Sequence, residues 1–327
     1  MHDGCPWISC VIGSHEYTPQ LFETISSVMA SEDVSLECIV VLNGLSAHQY
    51  HVAEVSLQQQ FAGLRLVHAS QPGLTQALIK GCSLARGWAI ARLDVGDVMT
   101  PDRLLRQARV LEQSPDCVLV TSDMAVCGPC WELMRVKHRP SPMLQPQRAD
   151  TLPPQDGLAI DIPHHASVLL RRSAYNAVGG YRSEFYYGQD WDLWYRLAEQ
   201  GTFFHIPEVL TKVRLFPQGL SSCHWREQQA IAALSRACFV ARRRGQTEEL
   251  FLKQAAHLRP LPQAVQRWHW FPFDRHQAEG AYFIAESLRR NSDSRCRRYF
   301  AEALRYAPWL PKVWLRAAQL LHLSPQP

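Results

Sequence analysis

Arg92-Leu93-Asp94-Val95-Gly96-Asp97-Val98-Met99-Thr100-Pro101-Asp102 is the stretch on which the reading of this chain turns. The apolar run Trp88-Ala89-Ile90-Ala91 leads into it, and two acids follow at Asp-x-x-Asp spacing. Thr100 reads as a helix N-cap, Pro101 as the first helical residue and Asp102 as an acid in the first turn, where the helix dipole favours negative charge. Asp94 and Asp97 are therefore expected in a loop at the C-terminal end of a buried strand, where open α/β sheets bind ligands. Asp and Gly are also ordinary turn residues, so on its own the stretch reads first as a plain polar turn. The flanking sequence changes that balance.

Upstream, Trp7-Ile8-Ser9-Cys10-Val11-Ile12 is a short strand-like run, and Thr18-Pro19 repeats the cap-plus-proline helix start before Leu21, Phe22, Ile25, Val28 and Met29 at helical spacing. Glu37-Cys38-Ile39-Val40-Val41-Leu42 is a nearly continuous apolar strand ending at Asn43-Gly44. A helix is expected around Ala47–Phe61, a strand over Leu64–Val67, and a helix over Leu74–Arg86 after Pro72-Gly73. Downstream come a helix over Pro101–Gln113 and the strand Cys117–Thr121. Alternating strands and helices, with strands apolar throughout, imply βαβ units and a mainly parallel sheet covered on both faces. Neither G-x-G-x-x-G nor G-x-x-x-x-G-K-[ST] occurs, which leaves the acids to handle phosphate through a metal.

With 327 residues, 46% of them hydrophobic and 20% charged, the chain can bury a large core and is expected to form two domains. No apolar run is long enough to span a bilayer. The first residues lack a basic region followed by an apolar core, so no signal peptide is expected. Ten scattered cysteines suit reduced thiols in the cytoplasm. The net charge of +4 divides unevenly, with −5 over residues 1–220 and +9 over 221–327. That shift sets the expected boundary, a catalytic-type domain over 1–222 and a basic helical region over 223–327.

Residues 139–163 are proline-rich and polar, as in a surface loop or lid. Order returns at Ala166–Arg172, then a short helix over Ser173–Val178 stopped by Gly179-Gly180, and then a helix from Gln189 to Ala198. The chain thereby resembles the family-2 glycosyltransferases, nucleotide-sugar-dependent enzymes of the GT-A fold, over roughly residues 6–222. The resemblance rests on Ile39–Gly44, on Gly73–Leu78, and on Ala91–Asp97 with Pro101–Leu104. It rests most specifically on His165–Arg172 followed by Val178-Gly179-Gly180-Tyr181-Arg182 and Gln189-Asp190-Trp191-Asp192-Leu193-Trp194.

The resemblance implies transfer of a sugar, with inversion, from a nucleotide-sugar donor to a glycan or lipid-linked hydroxyl acceptor. An acceptor hydroxyl attacks the anomeric carbon while the diphosphate leaves, and a divalent metal (Mn²⁺ or Mg²⁺) neutralises the departing charge. It implies Asp94 and Asp97 at the metal, Asp94 also at the donor diphosphate, and Asp190 as the general base. It implies Glu16, Asn43 and Arg182 on the donor side; at position 43 the family usually carries an Asp. Three departures stand out: Gly96 in place of the second metal-binding acid, Phe216 in place of a histidine, and Gln189 in place of the acid before the base. They leave open a second reading, a non-catalytic nucleotide- or glycan-binding protein on a decayed transferase fold.

Cys127-Gly128-Pro129-Cys130 matches the thioredoxin redox tetrapeptide but lies between strand-like runs, without a helix of its own. His164-His165 has the chemistry of metal ligands, but no H-E-x-x-H arrangement accompanies it, so a local structural role is expected. The last hundred residues lack strand signals. Helices are expected over Ala230–Arg243, Gln277–Arg289, Arg297–Tyr306 and Leu310–Leu321, and the segment Ala278–Leu321 weakly resembles a tetratricopeptide-like helical pair. Their arginines (Arg242-Arg243-Arg244, Arg289-Arg290, Arg295, Arg297 and Arg298) read mainly as solvated helix surface, with peripheral contact to the inner face of a membrane as the functional alternative. No nucleic-acid partner is implied.

Overall fold

The computed structural model describes residues 8–138, 162–219, 225–259 and 273–321. The chain divides into two compact units. The first comprises residues 1–124, 138–213 and 227–259, and the second 125–137, 214–226 and 260–327. This division differs from the charge boundary at 222: residues 227–259 go with the first unit, and two short inner segments go with the second. The proposed lid at 139–163 lies almost wholly outside the described residues.

The first unit is built on β1 (Ile8–Ser14), β2 (Leu36–Asn43), β3 (Arg65–Ala69) and β4 (Ala89–Arg92), which pair in parallel in the order β3-β2-β1-β4. The sheet continues through β8 (Leu169–Arg171), antiparallel to β4, and β6 (Cys117–Cys127), antiparallel to β8, so β6 runs with β4. Beyond it come β9 (Thr202–Arg214) and the two-residue β5 (Val98–Met99), which pair antiparallel. β1 and β4 are buried at every position, as expected of strands covered on both faces. The helices α1 (Pro19–Met29), α2 (Ala47–Gln60), α3 (Leu74–Ser83), α4 (Arg103–Gln113), α5 (Arg172–Ala177) and α6 (Gln189–Ala198) lie where apolar spacing places them, within a few residues.

One start is corrected. The helix after the acidic stretch begins at Arg103, not Pro101, and Asp102 rather than Thr100 precedes it. Thr100 and Pro101 form a separate turn closed by Arg103 N–H donating to the Thr100 carbonyl at 3.2 Å. The reason is β5: Thr100 N–H donates to the Leu210 carbonyl, so the backbone here is still engaged with β9. The 13-residue β9 itself was not expected, because its polar and apolar side chains follow no regular alternation and Pro207 interrupts them.

Two further helices, α7 (Trp225–Arg243) and α8 (Glu249–His257), complete the first unit. Ile231 and Cys238 of α7 and Ala255 of α8 bury Phe185 and Tyr187, and Phe239 stacks on Tyr195 of α6 at 5.1 Å. In the second unit, α9 (Arg275–Arg290), α10 (Cys296–Tyr306) and α11 (Pro311–Leu321) pack with β7 (Leu133–Lys137), which pairs with β6. Met134, Ile284, Leu288, Tyr299, Phe300 and Val313 form their common core. Asp274 caps α9, accepting from the backbone N–H groups of His276 and Gln277. Cys127 ends β6, and Cys130 sits in a tight turn closed by Gly128 N–H donating to the Glu132 carbonyl. No helix opens at this tetrapeptide, which removes the thioredoxin geometry.

The fit of α3 against the sheet leaves little slack. A Cβ on Gly81 would lie 2.5 Å from Val11 Cγ1 and 3.0 Å from Val41 Cγ2. Both valines are fully buried in central strands and cannot swing away. Gly81→Ala is therefore expected to destabilise the first unit by about 1–3 kcal/mol through overpacking. The better helix propensity of alanine, about 1 kcal/mol, offsets only part of this. Urea unfolding measures it, and an unchanged midpoint would show that α3 shifts off the sheet freely.

Candidate active site

The acidic stretch folds into a type II-like turn at the end of β4. Asp97 N–H donates to the Asp94 carbonyl at 3.1 Å, and Gly96 in the third position has φ of +96°. That φ suits glycine and strains any side chain, so the backbone accounts for the missing acid at 96. Thr24 of α1 locks the turn: its hydroxyl accepts from Gly96 N–H at 2.9 Å and donates to the Asp97 carbonyl at 2.8 Å.

The turn separates the two acids. Asp94 is 36% exposed and forms an ion pair with the buried Arg92, whose guanidinium also donates to the Leu93 carbonyl. Desolvation pushes the Asp94 carboxyl up, but the Arg92 guanidinium, together with His165 and His164, holds it below its ordinary value. Asp97 is only 3% exposed, and its charge acts on Arg103, a fully buried cation. Arg103 donates to the carbonyls of Arg92 and Val168, both at 3.1 Å, and to Gln107 Oε1. Burial lowers the Arg103 pKa to about 10, so it stays charged at neutral pH.

As a metal site, this donor set offers one accessible carboxylate. One Asp94 oxygen is taken by Arg92 and Asp97 is buried. Among the described residues no three His, Cys, Asp or Glu side chains converge. A single carboxylate with substrate phosphates and water still suffices for Mg²⁺-like ions. Asp94 fits such a site, while Asp97 is buried and its charge acts on Arg103.

Asp190 opens α6. Gly188, with φ of +58°, turns the chain into the helix, and a side chain there would meet Ile231 Cγ2 at 2.7 Å. Burial raises the Asp190 carboxyl to about 6. The backbone N–H groups of Asp190 and Trp191 pull it back, the charge of Asp94 pushes it up further, and Arg92 opposes. The mutual influence of Asp94, Arg92 and Asp190 places the expected base and the expected diphosphate-side acid in one electrostatic neighbourhood.

The other expected residues take different places. Glu16 is exposed just past β1, with its carboxylate 3.4 Å from His15. Asn43 is buried; its amide donates to the Ser14 carbonyl at 2.8 Å and accepts from Gly73 N–H at 2.9 Å, so it ties two loops together. Arg182 pairs with Glu248 at 2.8 Å and Asp192 at 3.4 Å, and Arg196 pairs with Asp192 at 2.5 Å, a network that braces α6. Two residues of this neighbourhood had no expected role. Arg92 is one, and a charged residue inside an apolar strand run was its signal. Tyr181 is the second, and it meets His165, for which a local structural role was expected, at 2.7 Å between the phenol oxygen and Nε2. Burial, with a smaller push from Arg92, lowers His165 to about 3, so the imidazole is neutral.

Because its carboxyl is raised, ionised Asp190 weighs against the fold. The penalty is absent below the ordinary carboxyl value, grows as pH rises toward 6, and is complete above it. Asp190→Asn is therefore expected to gain stability, relative to the parent, by about 1–3 kcal/mol at pH 8 and by little at pH 4. Thermal unfolding at the two pH values measures this, and a pH-independent difference would refute the assignment.

Residues 9–179 match the sequence profile described as Glycosyl transferase family 2, over half of the chain. A Bacillus subtilis protein assigned as a glycosyltransferase, EpsE, is 26% identical over 214 residues, 64% of this chain and 73% of its own. An uncharacterized glycosyltransferase of Haemophilus influenzae is 20% identical over 240 residues, 70% of this chain and 72% of its own. Among solved structures, Pyrobaculum calidifontis mannosyltransferase PcManGT in complex with GDP-Man and Mn²⁺ is similar with a TM-score of 0.54. It is 16% identical, and the alignment covers 99% of this chain and 82% of that one. Residues 1–349 of S. aureus TarS are similar with a TM-score of 0.52 at 11% identity, covering 95% and 78%. These likenesses show the GT-A fold, and the profile match shows that the chain belongs to glycosyl transferase family 2.

Proposed function

We propose that this glycosyltransferase moves a sugar from a nucleotide-sugar donor to a hydroxyl of a glycan or lipid-linked acceptor, with inversion, using Asp190 as general base. The observation that carries the reading is the place of Asp190, in the first turn of α6 within reach of the charges of Asp94 and Arg92, where burial raises its carboxyl to about 6. A base of that strength is ionised at neutral pH yet avid for a proton. It takes the acceptor proton as the hydroxyl oxygen attacks the anomeric carbon, while the bond to the donor diphosphate breaks. A single displacement of this kind inverts the centre.

Mn²⁺ or Mg²⁺ would neutralise charge developing on the leaving diphosphate, held by the Asp94 oxygen that Arg92 leaves open. Support comes from the neighbours: PcManGT is described with GDP-Man and Mn²⁺, and TarS with UDP. Glu16, exposed beyond β1, is assigned to the base or ribose side of the donor. Asn43 shapes that rim from within, and Arg182 holds α6, and with it Asp190, in place. No helix of the described residues is long and apolar enough to cross a membrane, and a cytoplasmic location belongs to the same proposal. The pairing of Asp94 with Arg92 favours the alternative, a nucleotide- or glycan-binding protein without turnover.

Calorimetry against UDP-, GDP- and dTDP-sugars with and without Mn²⁺, beside a transfer or donor-hydrolysis assay, separates the two. For the enzyme, Asp190→Asn should keep donor affinity within about threefold and lower turnover by about 10²–10⁴. The parent's kcat/KM should rise with pH through about 6, as Asp190 ionises. Normal turnover in the variant removes Asp190 as the base, and donor binding by the parent without turnover supports the alternative.

A further inference from the structure

Among the arginines that make the C-terminal region basic, Arg289 and Arg295 pair within their own segments, with Glu286 and Asp293, both at 2.6 Å. Arg242, near the end of α7, reaches further. Its Nε lies 2.9 Å from the Glu199 carboxylate, just past the end of α6, and its Nη1 pairs with Glu248, the residue before α8. The other Glu248 oxygen receives Arg182 Nη1 at 2.8 Å, and the same nitrogen lies 3.4 Å from Asp192 in the first turn of α6. The ion pairs Glu199–Arg242–Glu248–Arg182–Asp192 thus leave α6 at its C-terminal end and return to it at its first turn. Arg196 completes the set, pairing with Asp192 and donating to the Val178 carbonyl at 2.7 Å. Three cations meet three carboxylates.

Burial makes this ring stiff. The Asp192 side chain is 1% exposed and that of Arg196 4%, and none of the six exceeds 25%. Removing one partner from a pair held away from water strands the other charge, so the members depend on one another. The same two helices also grip the approach to α6. Ile231 of α7 packs against Gly188, Phe239 stacks on Tyr195, and Arg259 just past α8 donates to the Ser183 carbonyl at 2.6 Å. Asp190 lies two residues before Asp192 on the turn that the ring holds. Its place is therefore set by α7 and α8, which lie outside residues 9–179 of the family match.

We infer that Arg242 and Glu248 are positioning residues for sugar transfer, fixing the first turn of α6 so that the Asp190 carboxylate meets the acceptor hydroxyl, an assignment that rests on Asp190 being the general base. Neither side chain touches substrate. Arg242 serves two carboxylates from different nitrogens of one planar group, a fork that a lysine ammonium does not reproduce. A base displaced by a fraction of an ångström loses rate without any change in how the donor binds. A mere brace for the fold would instead lower stability and leave the turnover of folded molecules as it was.

Glu248→Gln and Arg242→Lys in the full chain test this, since they nearly keep volume and remove a charge or the fork. Each is expected to lower kcat for transfer about tenfold, with the donor KM and the circular dichroism spectrum as in the parent. Glu249→Gln, at an exposed neighbour paired with Lys253 on its own helix, should change neither constant. A double-mutant cycle is decisive: Asp190→Asn with Glu248→Gln should turn over no more slowly than Asp190→Asn alone, because Glu248 acts through Asp190. An unchanged kcat in both single variants, a raised donor KM in place of the lowered kcat, loss of the folded spectrum in both, or full additivity with Asp190→Asn overturns the inference. Failure of the underlying assignment has its own signature: the parent shows no transfer, or Asp190→Asn transfers normally, and the inference falls with it.

Discussion

Two guanidinium groups buried at the end of β4 set the terms for the candidate site. Arg92 and Arg103 are 2% and 0% exposed, and an unpaired cation at such depth would cost several kcal/mol. Each is therefore surrounded by acceptors: Asp94 and the Leu93 carbonyl for Arg92, and the Arg92 and Val168 carbonyls with Gln107 for Arg103. Those acceptors come from β4, from the turn after it, from α4 and from the residue preceding β8. The cations thus hold together the elements that border the site. They also explain why two acids three residues apart have different tasks, one facing outward beside Arg92 and one turned in toward Arg103.

Much of this could be read from residues alone. Continuous apolar runs such as Glu37–Leu42 identify strands covered on both faces, and cap-plus-proline starts identify helices. Asp94 just past a strand and Asp190 in the first turn of a helix were placed by the motifs around them, while their roles come from the resemblance alone. What could not be read was direction. Asp97 and Asn43 look like ligand residues in a sequence because both are polar and sit at strand ends. Only the turn geometry, with Thr24 bonding Gly96 and Asp97, shows that the Asp97 carboxylate points inward. β9 escaped notice for a related reason, since its buried and exposed positions are mixed and leave no apolar signature. Likewise, the arginines of the C-terminal region gave a charge count but not their partners.

The second unit illustrates how local chemistry redirects a compositional argument. Its helices are tied to β7 by a buried polar contact, Tyr299 O–H to Glu132 Oε1 at 2.8 Å, while the other Glu132 oxygen accepts from Cys130 N–H at 2.8 Å. Glu132 is 1% exposed, so the carboxylate secures both the Cys127–Cys130 turn and α10. The cysteine tetrapeptide is therefore part of a turn fastened to helices. Nearby, Arg214 lies over the rings of Trp131 and Phe216, at 4.3 and 5.2 Å. Phe216, the residue that departs from the family histidine, thus has an aromatic use in the second unit's own packing.

Asn43 has a mechanical consequence. Its amide is a two-headed bolt, with its nitrogen gripping the loop after β1 and its oxygen gripping the loop before α3. An aspartate of the same size could hold only the second of these, and would set a negative oxygen against the Ser14 carbonyl. With the amide in place, the loop that presents Glu16 and the loop that begins at Gly73 are coupled. The end of β1 and the start of α3 are thereby fixed to one another through a single side chain.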